Sequence, residues 1–409
     1  MAGVSDVGLR LGVSLGMCKA PRVPPERPAT VTRDRLRVGF DATPLLGRPT
    51  GIGVFCGGAL DGLVGRPDLD VTAFAISWRL RHGIDERVPT GAATAQRPMP
   101  ARPLHAAWGR WSWPPLEWFT GPLDVVHGGN FVVPPTRRAA RVVTVHDLTV
   151  VLYPELCDPP TLAYPRLIRR AVAEGAWVHT DSDFVAREVI DVFDVDPTRV
   201  RTVAPGVPVL PPADDSAHPP MIDLPDGCQR YVLAIGTIEP RKDYPMLVEA
   251  FGEVARRHPD VALVVVGGDG WGAERFGAAV AQSPVRDRII RPGYLDDAGL
   301  AAALRRASVL AYPSKYEGFG FPPLQAMVAG VPVVATAAGA VPEVVGDGAW
   351  TVPPGDVGAL TDRLVEVLDG GPDVDALVTR GRARGALFTW DACATGLSDL
   401  YRDAVEARR

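Results

Sequence analysis

The sequence predicts an α/β protein made of two doubly wound parallel-sheet domains that face each other across a cleft. Three observations predict this. Apolar runs of four to six residues alternate with amphipathic stretches of ten to fifteen, the pattern of buried parallel strands joined by crossover helices. The alternation breaks once, at residues 211–228, PPADDSAHPPMIDLPDGC, and then restarts. The chain has 409 residues, more than a single hydrophobic core usually organises.

The elements follow in order. Residues 1–35 have no period and carry Pro21, Pro24, Pro25 and Pro28, so they are expected to be disordered, with Met17 as a second candidate start. The first domain is expected to span 36–210. Its first strand, Leu36–Phe40, ends at Asp41; a loop leads to a helix beginning near Gly51–Gly53; Asp70–Ile76 is the next strand. The segment from Arg79 to Gly121 is rich in proline, and with Trp78 it gathers Trp108, Trp111, Trp113 and Trp118. It reads as a loop packed on the domain, with an apolar rim against an acceptor or a membrane surface as the alternative. Short apolar strands are expected at Asp124–His127, Arg141–His146, Trp177–Thr180 and Val200–Val203, and helices at Leu162–Glu174 and from a Ser182 or Asp183 cap to Phe193.

After the linker the second domain, 229–388, repeats the scheme. Strands are expected at Tyr231–Ile235, Val261–Val266, Arg288–Arg291, Ser308–Tyr312 and Val331–Thr336. Helices are expected at Tyr244–Arg257, Asp297–Arg306, from Pro322 to about Gly330, at Asp356–Leu368 and at Val374–Leu387, with a last one, Asp391–Arg408, inside a closing segment 389–409.

Composition excludes several classes. The hydrophobic fraction is 46%, the charged fraction 22% and the formal net charge −5, so no basic field points to nucleic acid. Five cysteines, Cys18, Cys56, Cys157, Cys228 and Cys393, form no C-x-x-C pair and are odd in number, which argues against a disulfide framework or a structural zinc site. No apolar run reaches the ~18–20 residues of a membrane span. The N-terminal MAGVSDVGLRLGVSLGMCKA interrupts its apolar stretch with Arg10 and has Asp6 ahead of it, a poor signal peptide.

Chemistry concentrates in residues 308–337, SVLAYPSKYEGFGFPPLQAMVAGVPVVATA. A strand runs into a loop holding Glu317, Gly318, Phe319 and Gly320, and Pro322 and Pro323 open a helix, where a missing N–H costs nothing. Backbone N–H groups at a helix start just past a strand end make an anion site. Earlier, AIGTIEPRKDY places Gly236, Arg241 and Lys242 between a strand and a helix; cations there oppose the helix dipole unless they meet an anion. VVVGGDGWGA, residues 264–273, satisfies G-x-G-x-x-[GA], but Asp287 precedes a strand instead of ending one, so the stretch reads as a loop near a nucleotide and not as an NAD site.

EGFGFPPLQ resembles the E-x7-E signature, E-G-F-G-[LF]-P-x-L-E, of retaining nucleotide-sugar-dependent glycosyltransferases with two Rossmann-like domains (the GT-B fold, glycosyltransferase family 4 or group 1), many of them bacterial mannosyl- and glucosyltransferases. EPRKD is similar to the family's E-P-R-K-[NG]. The resemblance covers residues 36 to about 405 and is strongest over 231–345. It implies that Glu317 orients the donor sugar with the backbone of Phe319, Gly320 and Phe321, and that Lys242 and Arg241 offset the leaving diphosphate. It implies that Gly236 and the backbone around Tyr294, in RPGYL, line the donor, and that the Gly51 and Gly53 loop covers the pyrophosphate. It also places His146 and its neighbour Asp147 at the reacting sugar. His127 and Ser182 stay open between sugar contact and structure, His127 as a hydrogen-bonded core residue and Ser182 as an N-cap.

Gln325 stands where the family has its second acid; its carbonyl can accept one ribose hydroxyl, not two. The resemblance also implies that the closing helix, with Trp390 and Tyr401, crosses back to the first domain. The expected reaction is transfer of a hexose, mannose first, from a nucleoside diphosphate sugar to a hydroxyl on a glycan, lipid-linked glycan or small molecule, with retention and with no metal or other cofactor. GDP-mannose is the first donor and UDP- or ADP-glucose remain open. The expected setting is cell-envelope or exopolysaccharide synthesis in the cytoplasm, with a peripheral membrane contact left open. A sugar-nucleotide epimerase of the same fold and a weakly active nucleotide-sugar-binding partner subunit are the alternatives.

Overall fold

A computed structural model describes residues 35–47, 50–157, 159–211 and 222–408. The expectations for residues 1–34, Met17 and Cys18 among them, and for most of the linker lie outside the described residues. The first lobe contains β1 (Leu36–Asp41), α1 (Gly51–Val64), β2 (Leu69–Phe74), β3 (Ala93–Ala95), α2 (Ala101–Trp108), α3 (Glu117–Thr120), β4 (Val125–Gly128), β5 (Ala140–Val145), α4 (Thr149–Leu152), α5 (Tyr164–Ala173), β6 (Trp177–Thr180), α6 (Asp183–Phe193) and β7 (Val200–Thr202). The second contains β8 (Arg230–Ile235), α7 (Tyr244–Arg257), β9 (Val261–Val266), α8 (Ala273–Gln282), β10 (Ile289–Gly293), α9 (Asp297–Arg306), β11 (Val309–Tyr312), α10 (Phe321–Ala329), β12 (Val333–Thr336), α11 (Val341–Val345), β13 (Trp350–Val352), α12 (Val357–Asp369) and α13 (Pro372–Gly385). A last helix, α14 (Trp390–Glu406), ends the chain.

The strands form two parallel sheets, ordered β3-β2-β1-β4-β5-β6-β7 and β10-β9-β8-β11-β12-β13. Fully buried strands such as β9, VALVVV, are apolar at every position because helices cover both faces of the sheet. Each sheet is accordingly flanked by two apolar clusters. In both sheets the winding reverses beside the first strand of the lobe, between β1 and β4 and between β8 and β11. Ligands of open α/β sheets bind outside the carboxyl ends of strands at such a reversal.

Several boundaries differ from expectation for local reasons. The helix expected from Leu162 begins at Tyr164, because Pro159–Ala163 forms a tighter 3-10 turn ahead of it. β12 starts at Val333, after Pro332, which has no N–H to give a ladder. Asp124 stays outside β4 and clamps Arg37 of β1 through the backbone and the guanidinium. The tryptophan-rich segment is partly regular, holding β3, α2 and α3. Trp108 is core and donates from Nε1 to the Pro114 carbonyl, while Trp78, Trp111, Trp113 and Trp118 are exposed. Helix α14 lies on α1 of the first lobe. A Cβ on Gly58 would fall 2.2 Å from the Trp390 ring and one on Gly62 2.8 Å from Ala394, so small residues on α1 make room for it.

Candidate active site

The second lobe brings its chemistry together at the reversal of its sheet. Gly236 leaves β8 at φ 145°, a conformation that favours glycine; an added Cβ would also press on the Tyr244 hydroxyl and the Lys242 chain at 3.0 and 3.1 Å. Pro240–Lys242 then makes one 3-10 turn, closed by Asp243 in the left-handed region at φ 47°. Asp tolerates that conformation better than most residues, which explains how it replaces the family's Asn or Gly. The turn aims Arg241 and Lys242 at Glu317. Lys242 Nζ donates to Glu317 Oε1 at 2.7 Å and to the Tyr312 hydroxyl at 3.0 Å. Arg241 donates to Glu317 Oε2 at 2.5 Å and, with its other arm, to Glu239 at 2.6 Å.

Glu317 is 6% exposed. Burial by itself pushes its carboxyl up, but Arg241 and Lys242 overcome that and hold it down at about 2. Burial likewise opposes the charge on Arg241, and Glu317 and Glu239 reverse the effect and raise it well above its ordinary value.

The loop beyond Glu317 turns through Gly320 at φ 109° into α10. The amides of Gly318, Phe319, Gly320 and Phe321 take no hydrogen bond among the described residues. Pro322 and Pro323 supply none, so the unbonded amides belong to the loop more than to the helix proper. Phe319 is core, edge-on to Phe321 and Phe388. Gln325 lies in α10, 9% exposed, with no partner for its side-chain amide among the described residues. Tyr294 follows β10 and is 44% exposed. The loop after β9, with Gly267 at φ 153°, reaches the other lobe: Trp271 Nε1 donates to the Leu156 carbonyl at 2.9 Å.

In the first lobe, Thr50 caps α1 by accepting from the Gly53 amide. Gly51 faces Phe321 across the cleft, and a Cβ added to it would lie 3.7 Å from that ring. His146 follows β5 and is 8% exposed. Its Nδ1 donates to Asp181 at 2.6 Å and its Nε2 to the Gly129 carbonyl at 2.9 Å. Both partners accept, so the ring carries both protons. Burial alone would lower its pKa, and Asp181 outweighs that and raises it. His146 therefore offers the cleft no free lone pair, and Asp181 offsets the charge it carries.

His127 is not a sugar contact. It is fully buried, and its two nitrogens lie 2.6 Å from the Tyr401 hydroxyl and 2.6 Å from Thr144 Oγ1. Burial pushes it well below its ordinary pKa. Ser182 is the N-cap of α6 and also donates to the Gly318 carbonyl of the other lobe at 2.8 Å. Asp147 accepts from the Thr149 amide at 2.9 Å.

The two lobes meet directly at the Glu317 loop. A Cβ on Gly318 would fall 1.8 Å from the His146 carbonyl oxygen, so only glycine lets the loop come this close. The Tyr316 hydroxyl accepts from the Leu148 amide and donates to Glu188. Glu343, in α11, accepts from the Asp183 and Phe184 amides at 2.7 and 2.8 Å, a carboxylate from one lobe capping a helix of the other. Sequence reasoning did not single out Tyr316, Glu343, Asp181 or Glu239. Only Asp181 left a signal there: it follows β6, and the register Val145↔Thr180 sets it beside His146.

A family model described as glycosyl transferases group 1 matches residues 223–384, the whole of the second-lobe cluster just described. The O-antigen chain mannosyltransferase B of Escherichia coli is 30% identical over 285 residues, covering 68% of this chain and 74% of that protein. The chain belongs to the group 1 glycosyltransferases. A D-inositol 3-phosphate glycosyltransferase of Acidothermus cellulolyticus is 30% identical over 316 residues, covering 71% and 69%. The solved structure of sucrose-phosphate synthase from Thermosynechococcus elongatus superposes with a TM-score of 0.69 at 21% identity, over 91% of this chain and 100% of that one. The two facing parallel sheets are the GT-B fold, and the chain is a glycosyltransferase.

Proposed function

We propose that this glycosyltransferase moves a hexose from a nucleoside diphosphate sugar to an acceptor hydroxyl, with retention of the anomeric configuration and without a metal. The observation that carries this reading is the buried cluster of Arg241, Lys242 and Glu317 beside the unbonded amides of residues 318–321. In the transfer, the bond from the anomeric carbon to the diphosphate breaks and its electrons stay on the phosphate oxygen. The acceptor oxygen bonds the same carbon from the same face, and its proton passes to the departing phosphate. Charge grows on that phosphate, so preorganised cations and amides lower the barrier.

Glu317 is paired with both cations in the structure. Entry of the diphosphate replaces the carboxylate on Arg241 and Lys242 and frees Glu317 to hold sugar hydroxyls beside His146 and Asp147. Gln325 takes one ribose hydroxyl, Gly236 and Tyr294 flank the nucleotide, and Gly51 and Gly53 present amides to the pyrophosphate from the first lobe.

Similarity to an O-antigen mannosyltransferase supports mannose, with GDP-mannose as donor and envelope or exopolysaccharide synthesis as the setting. Among the described residues no helix is long and apolar enough to cross a membrane; a peripheral contact at the cytoplasmic face would use the exposed tryptophans. A thermal-shift screen of nucleoside diphosphates and their sugars, with EDTA present, tests the reading. GDP and GDP-mannose should stabilise the protein, and the anomeric proton of the product should report retention. No stabilisation by any nucleotide sugar, or free sugar isomers formed without an acceptor, would refute it.

A further inference from the structure

The second lobe uses the reversal of its sheet to hold Gly236, Lys242 and Glu317. The first lobe has an equivalent crevice between the carboxyl ends of β1 and β4 that the transfer chemistry above leaves unused. Asp41 ends β1 there and is 3% exposed. Its Oδ1 accepts from the Thr43 amide at 2.9 Å and the Thr43 hydroxyl at 2.5 Å. Its Oδ2 has no hydrogen-bond or ion-pair partner among the described residues. Burial pushes the carboxyl up to about 6, and Thr43 only partly offsets this. An acid with a cation at hand would be held low.

Gly129, just past β4, closes on the same place: a Cβ there would lie 3.3 Å from the Asp41 carbonyl and 2.9 Å from Cys56 Sγ. The next residue, Asn130, has a buried side-chain oxygen without a partner among the described residues. Phe131 stacks on Tyr164 at 5.2 Å, and the Asp41 charge helps to raise the Tyr164 hydroxyl.

Two acceptor atoms without donors, Asp41 Oδ2 and the buried Asn130 Oδ1, make a site that asks for O–H groups. A sugar or polyol brings neighbouring hydroxyls. A phosphate monoester brings negative charge to a carboxylate that has no cation to offset it. We propose that the crevice between β1 and β4 is the acceptor subsite, and that it takes an uncharged sugar or polyol through Asp41 and Asn130 while rejecting phosphorylated acceptors. This rests on the glycosyl-transfer reading and separates the protein from relatives named for inositol 3-phosphate.

The test is saturation-transfer NMR on the full chain, saturated with the nucleoside diphosphate that stabilises it. Two matched pairs serve as probes: methyl α-mannoside against mannose 6-phosphate, and myo-inositol against D-myo-inositol 3-phosphate. At least one neutral member should bind about tenfold or more tightly than its phosphorylated partner, and Asp41→Asn should weaken it by about tenfold with nucleotide affinity unchanged. If Asp41→Asn no longer responds to nucleotide, Asn130→Ala replaces it with the same expectation. Equal or tighter binding of the phosphates, binding of neither member of either pair, or full neutral binding by the variant would overturn the subsite. Nucleotide binding that stays intact through such a failure would leave the transfer reading standing; its loss would strike that reading instead.

Discussion

Two buried carboxylates in this protein have opposite effects on stability. Glu317 is held near 2, below its ordinary 4.5. Its contribution is present above the ordinary value and is lost as pH falls through about 2. Glu317→Gln should lower stability by ~3–5 kcal/mol near neutral pH, because Arg241 and Lys242 are left buried without their partner, and the deficit should shrink toward pH ~2 in thermal melts. Asp41 is pushed the other way, from 3.8 to about 6. Between those values the folded protein binds more protons than the unfolded one, so stability falls as pH rises through that window. Asp41→Asn should therefore stabilise the protein near pH 7 by ~1–3 kcal/mol, seen as a higher melting midpoint, and the gain should vanish by pH ~4. For catalysis, Lys242→Ala should lower turnover about 10²–10³-fold while the protein stays folded, measured as sugar transfer at saturating donor.

The element that joins the two lobes at the Glu317 cluster is the loop between β11 and α10. Its position depends on the other lobe, through Ser182 to the Gly318 carbonyl and Tyr316 to the Leu148 amide. Gly318→Ala introduces a methyl 1.8 Å from the His146 carbonyl oxygen. The lobes of that variant should fail to close, so turnover should fall by about tenfold or more while nucleotide affinity, carried by the second lobe, changes little. Titration calorimetry and transfer kinetics separate these outcomes. The strands and helices flanking the loop were legible from the sequence, because burial on both faces writes an apolar run for each strand and a period for each helix. β3, α3, α4, α11 and β13 were not: each is three to five residues long, too short for a period to show; α2, inside the proline-rich segment, and α8, after the glycine loop, are longer and were not expected either.

Across the molecule, α14 ties the chain's end to the first lobe. It buries Tyr401, whose hydroxyl pairs with His127 of β4. Tyr401→Phe leaves a buried imidazole nitrogen without its partner and should cost ~1–3 kcal/mol, read by denaturant unfolding. The restart of the strand–helix alternation after the linker is enough to predict two facing sheets. The EGFGFPPLQ and EPRKD stretches pointed to Glu317, Arg241 and Lys242, because neighbours along the chain share a loop and their chemistry can be read locally.

Residue order alone was thus enough for the fold, the family resemblance and one half of the cleft. Four facts came only with the folded chain: His127 is core, His146 is doubly protonated against Asp181 and Gly129, Glu343 caps a helix of the opposite lobe, and Asp41 keeps an unpaired oxygen. The reason is physical: a side chain's protonation and partners depend on what the fold places around it, and those neighbours come from distant parts of the chain.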